Sequence, residues 1–170
     1  MEYTHVRHPF GPLYDKESEI LILGSLPSVA SRQQNFYYGH PSNRFWKVIA
    51  SLFDEEIPKT IDEKKALLKR HHIALYDVIE ECDIKGSSDS SIKNVIPTDL
   101  ERIIRNSKVK MIFCNGKLSC DLYKKYHEKK TAIKACALPS TSPANAAYDM
   151  GKLMKYWKAI PGHIQHKEEK

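Results

Sequence analysis

The sequence predicts an α/β fold, a three-layer sandwich in which a central four-stranded, mainly parallel sheet is flanked by helices. Four short apolar runs are spaced along the chain, and stretches with helical spacing of apolar residues lie between them. Each run ends in turn-forming residues. Strands that alternate with helices favour parallel pairing, because the crossovers lay helices over both faces of the sheet.

The first run is 19–24 (EILILG). Residues 44–53 then place Phe45, Trp46, Val48, Ile49, Leu52 and Phe53 on one broad helical face. Thr60 and Glu63 form a capping box that opens a helix over 61–70. The second run, 73–78 (IALYDV), follows it. Leu100, Ile103 and Ile104 have helical spacing ahead of the third run, 109–114 (VKMIFC), and 117–127 reads as the next helix. The fourth run is 133–138 (IKACAL), and a helix over 145–159 closes the fold with Met150, Leu153, Met154 and Trp157 on one face. Residues 86–91 (GSSDSS) form the one flexible-looking polar loop. No repeat or linker interrupts the chain, so it reads as a single domain over 1–162. The polar stretch that begins at Pro161 frays into a tail over 163–170.

A chain of 170 residues can bury a sizeable core without a metal or disulfide staple. It holds no apolar run near the ~18 residues of a membrane span. Its first ten residues lack the apolar core of a signal peptide. The protein is therefore expected to be soluble and intracellular, in the cytoplasm. Cys82, Cys114, Cys120 and Cys136 have irregular spacing and no CxxC pair, so buried, reduced thiols are expected rather than a metal or iron–sulfur site. The net charge of +6 suits a nucleic-acid partner. A solvated helix face explains much of the lysine equally well.

The polar residues that stand out fall just after the runs. Gly24, Ser25, Leu26, Pro27 and Ser28 follow the first. Asp77 is an acid inside the second, Asn115, Gly116 and Lys117 follow the third, and 139–145 (PSTSPAN) follows the fourth. Open α/β sheets bind ligands at the carboxyl ends of their strands, so the four clusters point to one site. Each also has a plain structural reading. Asp77 could cap a turn or pair with a lysine, Asn115-Gly116 could be only a turn, and 139–145 could be a rigid loop ending in an N-cap at Asn145. Tyr37 and Tyr38 could be surface aromatics.

Together these clusters resemble the uracil-DNA glycosylase superfamily, and in particular its mismatch-specific and thymine branch and the related hypoxanthine-DNA (deoxyinosine) glycosylases. GSLPS at 24–28 stands where the superfamily has its first motif. YYGHPSNRFWK at 37–47 is similar to the mismatch branch's HPxNRFWK segment and is the most specific match. Residues 73–92, FCNGK at 113–117 and LPSTSPAN at 138–145 match the second-strand region, the third-strand turn and the minor-groove wedge. Two departures stand out. The first motif carries Ser25 and Leu26 where a catalytic Asn or Asp is usual, and Leu138 replaces the His of the fast uracil enzymes. Both resemble the hypoxanthine-excising group.

The resemblance implies a cofactor-free, monomeric DNA glycosylase of base excision repair that flips a deaminated base, hypoxanthine favoured, out of DNA and hydrolyses its glycosidic bond. Pro139, Ser140, Thr141, Ser142, Pro143 and Asn145 would form the wedge, with the hydroxyls on phosphates, and Lys117 would meet another phosphate. Tyr38 would stack on the base. Gly24 and Asn115 would line its pocket, and Leu26 would give an apolar wall. Backbone amides at Ser25 and Leu26 would stabilise the leaving anion. Asp77 would accept the base's N1–H, a proton that adenine lacks. Asn43 would hold the attacking water. No lysine is placed for a Schiff base, so neither a covalent intermediate nor strand cleavage is expected. Two alternatives remain: a mismatch-type uracil or thymine glycosylase, and a DNA-binding relative without catalysis. A nucleotide-binding α/β protein ranks last, because no GxGxxG or GxxxxGK[ST] loop is present.

Overall fold

The computed structural model describes residues 2–162, so the tail expected over 163–170 lies outside the described residues. In chain order the elements are β1 (Tyr3–Arg7), β2 (Ile20–Gly24), α1 (Val29–Gln34), α2 (Phe45–Leu52), α3 (Ile61–Arg70), β3 (Ile73–Asp77), β4 (Ile79–Lys85) and β5 (Lys93–Pro97). They continue with α4 (Leu100–Arg105), β6 (Met111–Asn115), α5 (Lys117–Tyr126), α6 (Glu128–Thr131), β7 (Ala135–Leu138), α7 (Met150–Trp157) and α8 (Ala159–Gly162).

The four strands expected from the sequence form one parallel sheet in the order β3-β2-β6-β7, flanked by helices. Every residue of β2 and β3 is buried, which is why both read as unbroken apolar runs. Register sets the site. Gly24 pairs with Asp77 and Leu23 with Cys114, so Asp77, Gly24 and Asn115 end three adjacent strands in a row. Trp157, Tyr123, Phe45 and Phe113 fill the core beneath them. The Thr60–Glu63 capping box closes in both directions, at 3.0 and 3.1 Å.

A second sheet, antiparallel in the order β1-β4-β5, was not expected. It covers a small separate core of Val6, Ile79, Cys82 and Ile84. Its strands hide from a search for apolar runs because only one residue of β1, Val6, points inward. In addition, β4 changes register twice against β5, which breaks its alternation. The chain passes from one sheet to the other at Asp77 and Val78. There Thr98 Oγ1 donates to the Asp77 carbonyl at 2.7 Å, and His127 Nε2 donates to that of Val78 at 3.2 Å, so the buried turn leaves neither oxygen unpaired. The polar 86–91 loop is the turn of the β4–β5 hairpin and includes a short 3-10 segment, Asp89–Ser91.

Two helix expectations are corrected. α7 begins at Met150 rather than near 145, capped by Asp149 Oδ1, which accepts from the Lys152 amide at 2.9 Å. Residues 145–148 lie outside the helix, because Arg44 takes the carbonyls of Asn145 and Tyr148 and the Lys152 ammonium takes that of Ala147. Pro161 also does not open a polar tail, since it lies within α8, whose Ile160 is fully buried. Trp157 ties α7 to the sheet edge by donating to the Pro139 carbonyl at 2.9 Å. Trp157→Ala should therefore lower unfolding stability by about 3–5 kcal/mol, measured by urea denaturation. A loss under 1 kcal/mol would contradict this packing.

Candidate active site

A cleft of about 460 Å³ opens at the carboxyl edge of the parallel sheet. That size lies in the ~300–1,000 Å³ range of ligand pockets. Of the expected residues, Gly24, Ser25, Leu26, Tyr38, Asn43, Asp77, Asn115, Lys117, Ser140, Thr141, Ser142 and Pro143 line it. Pro139 and Asn145 do not. Pro139 is held through its carbonyl by Trp157, and the Asn145 amide donates to the Ser140 carbonyl at 3.0 Å. Both shape the loop rather than face the cleft.

Asp77 is 3% exposed. Its Oδ2 accepts from His8 Nε2 at 2.7 Å. Its Oδ1 lies against Gly24, where a Cβ would sit 2.5 Å from it. A side chain at position 24 would therefore displace the carboxylate. The reading of Asp77 as a turn cap or lysine partner gives way to a buried histidine pair. His8 was missed because its partner lies 69 residues away. The available signal was a histidine set between Val6 and Phe10 in an otherwise polar segment.

Tyr38 is not a surface aromatic. Its ring stacks on Phe45 at 4.0 Å, so only the opposite face is free for a base. Its hydroxyl points inward beside Gly24 and Asn115. Burial and the Asp77 charge hold the Tyr38 and Tyr37 phenols well above the ordinary tyrosine range, so both stay neutral. Tyr38 has φ 53, a left-handed conformation that strains a bulky residue. Neighbours brace it: Trp46 Nε1 donates to the Tyr37 carbonyl at 3.2 Å, and the Gly39 amide donates to Ser31 Oγ at 2.9 Å. Leu26 packs on the small core of the second sheet.

Across the cleft, three polar side chains interlock. The Thr141 amide donates to Asn115 Oδ1, and Asn115 Nδ2 donates back to Thr141 Oγ1, both at 3.0 Å. Thr141 Oγ1 then donates to Asn43 Oδ1 at 2.8 Å, and the Phe45 amide donates to the same atom at 2.9 Å. Two donors aimed at one atom fix the Asn43 amide orientation, leaving Nδ2, a donor, as the group it offers. Thr141 is fully buried, which corrects its assignment to phosphate contact. Ser140, Ser142 and Pro143 are the loop residues that remain at the cleft.

Arg44 clamps the same loop. Its guanidinium donates to the carbonyls of Ser142 (2.9 Å), Asn145 (3.2 Å) and Tyr148, and its amide donates to the Thr141 carbonyl at 3.1 Å. Lys117 Nζ is paired with Asp121 at 2.5 Å in an exposed i,i+4 contact, which is weak enough to yield to a phosphate. Among the described residues no group of three or more His, Cys, Asp or Glu is arranged to hold a metal ion. None of their helices is long and apolar enough to cross a membrane. All four cysteines are free, and burial pushes the Cys114 thiol up.

An ammonium cannot reproduce the three-carbonyl grip of the planar guanidinium. Arg44→Lys should cost about 2 kcal/mol, the scale of one or two charge-assisted hydrogen bonds. It should also speed amide hydrogen exchange across 142–148. Unchanged exchange there would contradict the clamp.

The Uracil DNA glycosylase superfamily model matches residues 12–161. A Hypoxanthine DNA glycosylase of Methanosarcina acetivorans is 32% identical over 164 residues, which cover 93% of this chain and 99% of that one. Another of the same name, from Methanosarcina barkeri, is 37% identical over 114 residues, 65% of this chain and 71% of that one. The solution NMR structure of a Methanosarcina acetivorans protein provisionally named a uracil DNA glycosylase superposes with a TM-score of 0.81 at 30% identity, covering 96% of this chain and all of that one. Parallel sheet, cleft and sequence match coincide over the same residues, and the chain belongs to the uracil DNA glycosylase superfamily.

Proposed function

We propose that this protein is a monofunctional DNA glycosylase that hydrolyses the N-glycosidic bond of a deaminated base flipped out of DNA, with hypoxanthine as its first substrate. The observation that carries this reading is the Asp77 carboxylate buried beside Gly24 at the cleft. An ionised carboxylate only accepts hydrogen bonds. Hypoxanthine and uracil each present an N–H to it, whereas adenine presents a lone pair. A mismatch with adenine leaves a buried acceptor unpaired, which is a strong basis for rejection. The two relatives named Hypoxanthine DNA glycosylase support the same substrate.

The base would slide between the open face of Tyr38 and the Leu26 wall, while Ser140, Ser142, Pro143 and Lys117 meet the DNA at the rim. Pro139 and Thr141 work from beneath, since they anchor the loop. Asn43 offers a donor, which suits it to the departing base rather than to the attacking water. A donor placed on a water's oxygen would compete for the lone pair that attacks C1′. The same donor placed on a nitrogen of the departing purine would stabilise the negative charge that builds there. Bond breaking then leads, the deoxyribose cation forms, and water adds its oxygen to C1′ while its proton neutralises the base. Lys117 pairs with Asp121, and no amine is required to attack the sugar. A monomer acting on DNA in the cytoplasm suffices for this chemistry.

Duplexes carrying one hypoxanthine, uracil, xanthine or mismatched thymine, incubated with EDTA and then alkali, test the reading. Hypoxanthine duplexes should be cut most, and cleavage of uracil or thymine duplexes alone would overturn the purine assignment. Asp77→Asn should slow hypoxanthine release at least about tenfold, the scale of one hydrogen bond to a charged group. Asn43→Asp separates the two roles of position 43. A carboxylate is a better base but cannot donate, so hypoxanthine release should fall by about 10²–10³, as on loss of an oxyanion-hole donor. A retained or faster rate would return Asn43 to the water.

A further inference from the structure

We propose that His8, which lies outside the parallel sheet and the recognised motifs, is a positioning residue that sets how Asp77 reads the base. The inference rests on the substrate reading above. His8 follows β1, and its amide donates to the Glu80 carbonyl at 2.7 Å, anchoring the backbone where the chain crosses the end of the main sheet. Its side chain is fully buried. Edge contacts from Phe10 at 4.7 Å and Tyr76 at 5.2 Å, with Tyr37 at 6.3 Å, leave the ring no room to swing.

The hydrogen bonds fix the tautomer. The Phe10 amide can only donate, and it points at His8 Nδ1 over a long 3.5 Å. Nδ1 is thus the acceptor, and Nε2 carries the proton it gives to Asp77 Oδ2 at 2.7 Å. Oδ2 is therefore occupied. Oδ1, in the space that Gly24 leaves by having no side chain, is the acceptor that remains for the base. Without the histidine donor, the carboxylate is free to rotate, and Oδ1 is no longer held toward the base.

The test is a double-mutant cycle read by single-turnover base release, run on whichever base the wild type cuts. His8→Phe keeps the ring packing and removes the donor. His8→Gln keeps a donor at nearly the same reach. His8→Phe should slow release about tenfold or more with duplex affinity within about twofold, and His8→Gln should recover most of the rate. In an Asp77→Asn background His8→Phe should change the rate less than about twofold, because its effect passes through the carboxylate. Independent, multiplying losses would overturn the proposal. So would a His8→Phe protein that melts lower but cuts at the wild-type rate. If His8→Phe does not fold, His8→Asn, whose amide falls short of Asp77, replaces it in the cycle under the same criteria. Wild-type failure on hypoxanthine would sink the substrate reading alone, since the cycle still reports the coupling on another base.

Discussion

A carboxylate buried at the end of β3, beside an α-carbon that carries no side chain, is the constraint around which this cleft is arranged. Taking an ion out of water costs several kcal/mol unless hydrogen bonds replace the lost solvent. Here one oxygen is satisfied by His8, and the other has space only because its register partner is Gly24. That arrangement needs β2 and β3 parallel and in register. It also needs the β1 segment to cross the sheet's end, which the second sheet accomplishes by pairing β1 with β4.

The opposite wall solves a different problem, holding an irregular loop still without regular secondary structure. Arg44 gathers three of its carbonyls, Trp157 takes a fourth, and Thr141 locks it to Asn115 and Asn43. Every one of these partners comes from a helix, a strand end or the residues that lead into a helix of the main fold. The loop is therefore preorganised, and little ordering is left for DNA to impose. The same network orients the Asn43 amide, so wedge and candidate chemistry share one set of hydrogen bonds.

Much of this was legible in the chain. The four parallel strands lie within two residues of their apolar runs, because strands buried on both faces leave a continuous signal. The α3 capping box is a local pattern and closes as written. Glycine, proline and amide clusters after three of the runs, and Asp77 within the other, marked the cleft. What escaped notice was non-local. β1, β4 and β5 are half-exposed, and their inward residues are too few to show a period. Asn145 looked like a helix start because nothing nearby reveals that Arg44, about a hundred residues earlier, competes for those carbonyls. Thr141 looked like a phosphate ligand because its burial depends on two asparagines from distant strands and loops. His8 belongs to the same class.

The central claim is that Asp77 accepts the lactam N–H of the flipped base. The most direct measurement compares single-turnover release of hypoxanthine with that of 1-methylhypoxanthine from otherwise identical duplexes. Methylation keeps the ring, the carbonyl and the leaving-group position, and replaces the proton that Asp77 would accept with a methyl group. The account predicts release of the methylated base slowed by about a hundredfold or more, because the buried acceptor is left unpaired and the methyl group meets it in a tight space. Equal rates for the two bases would contradict it.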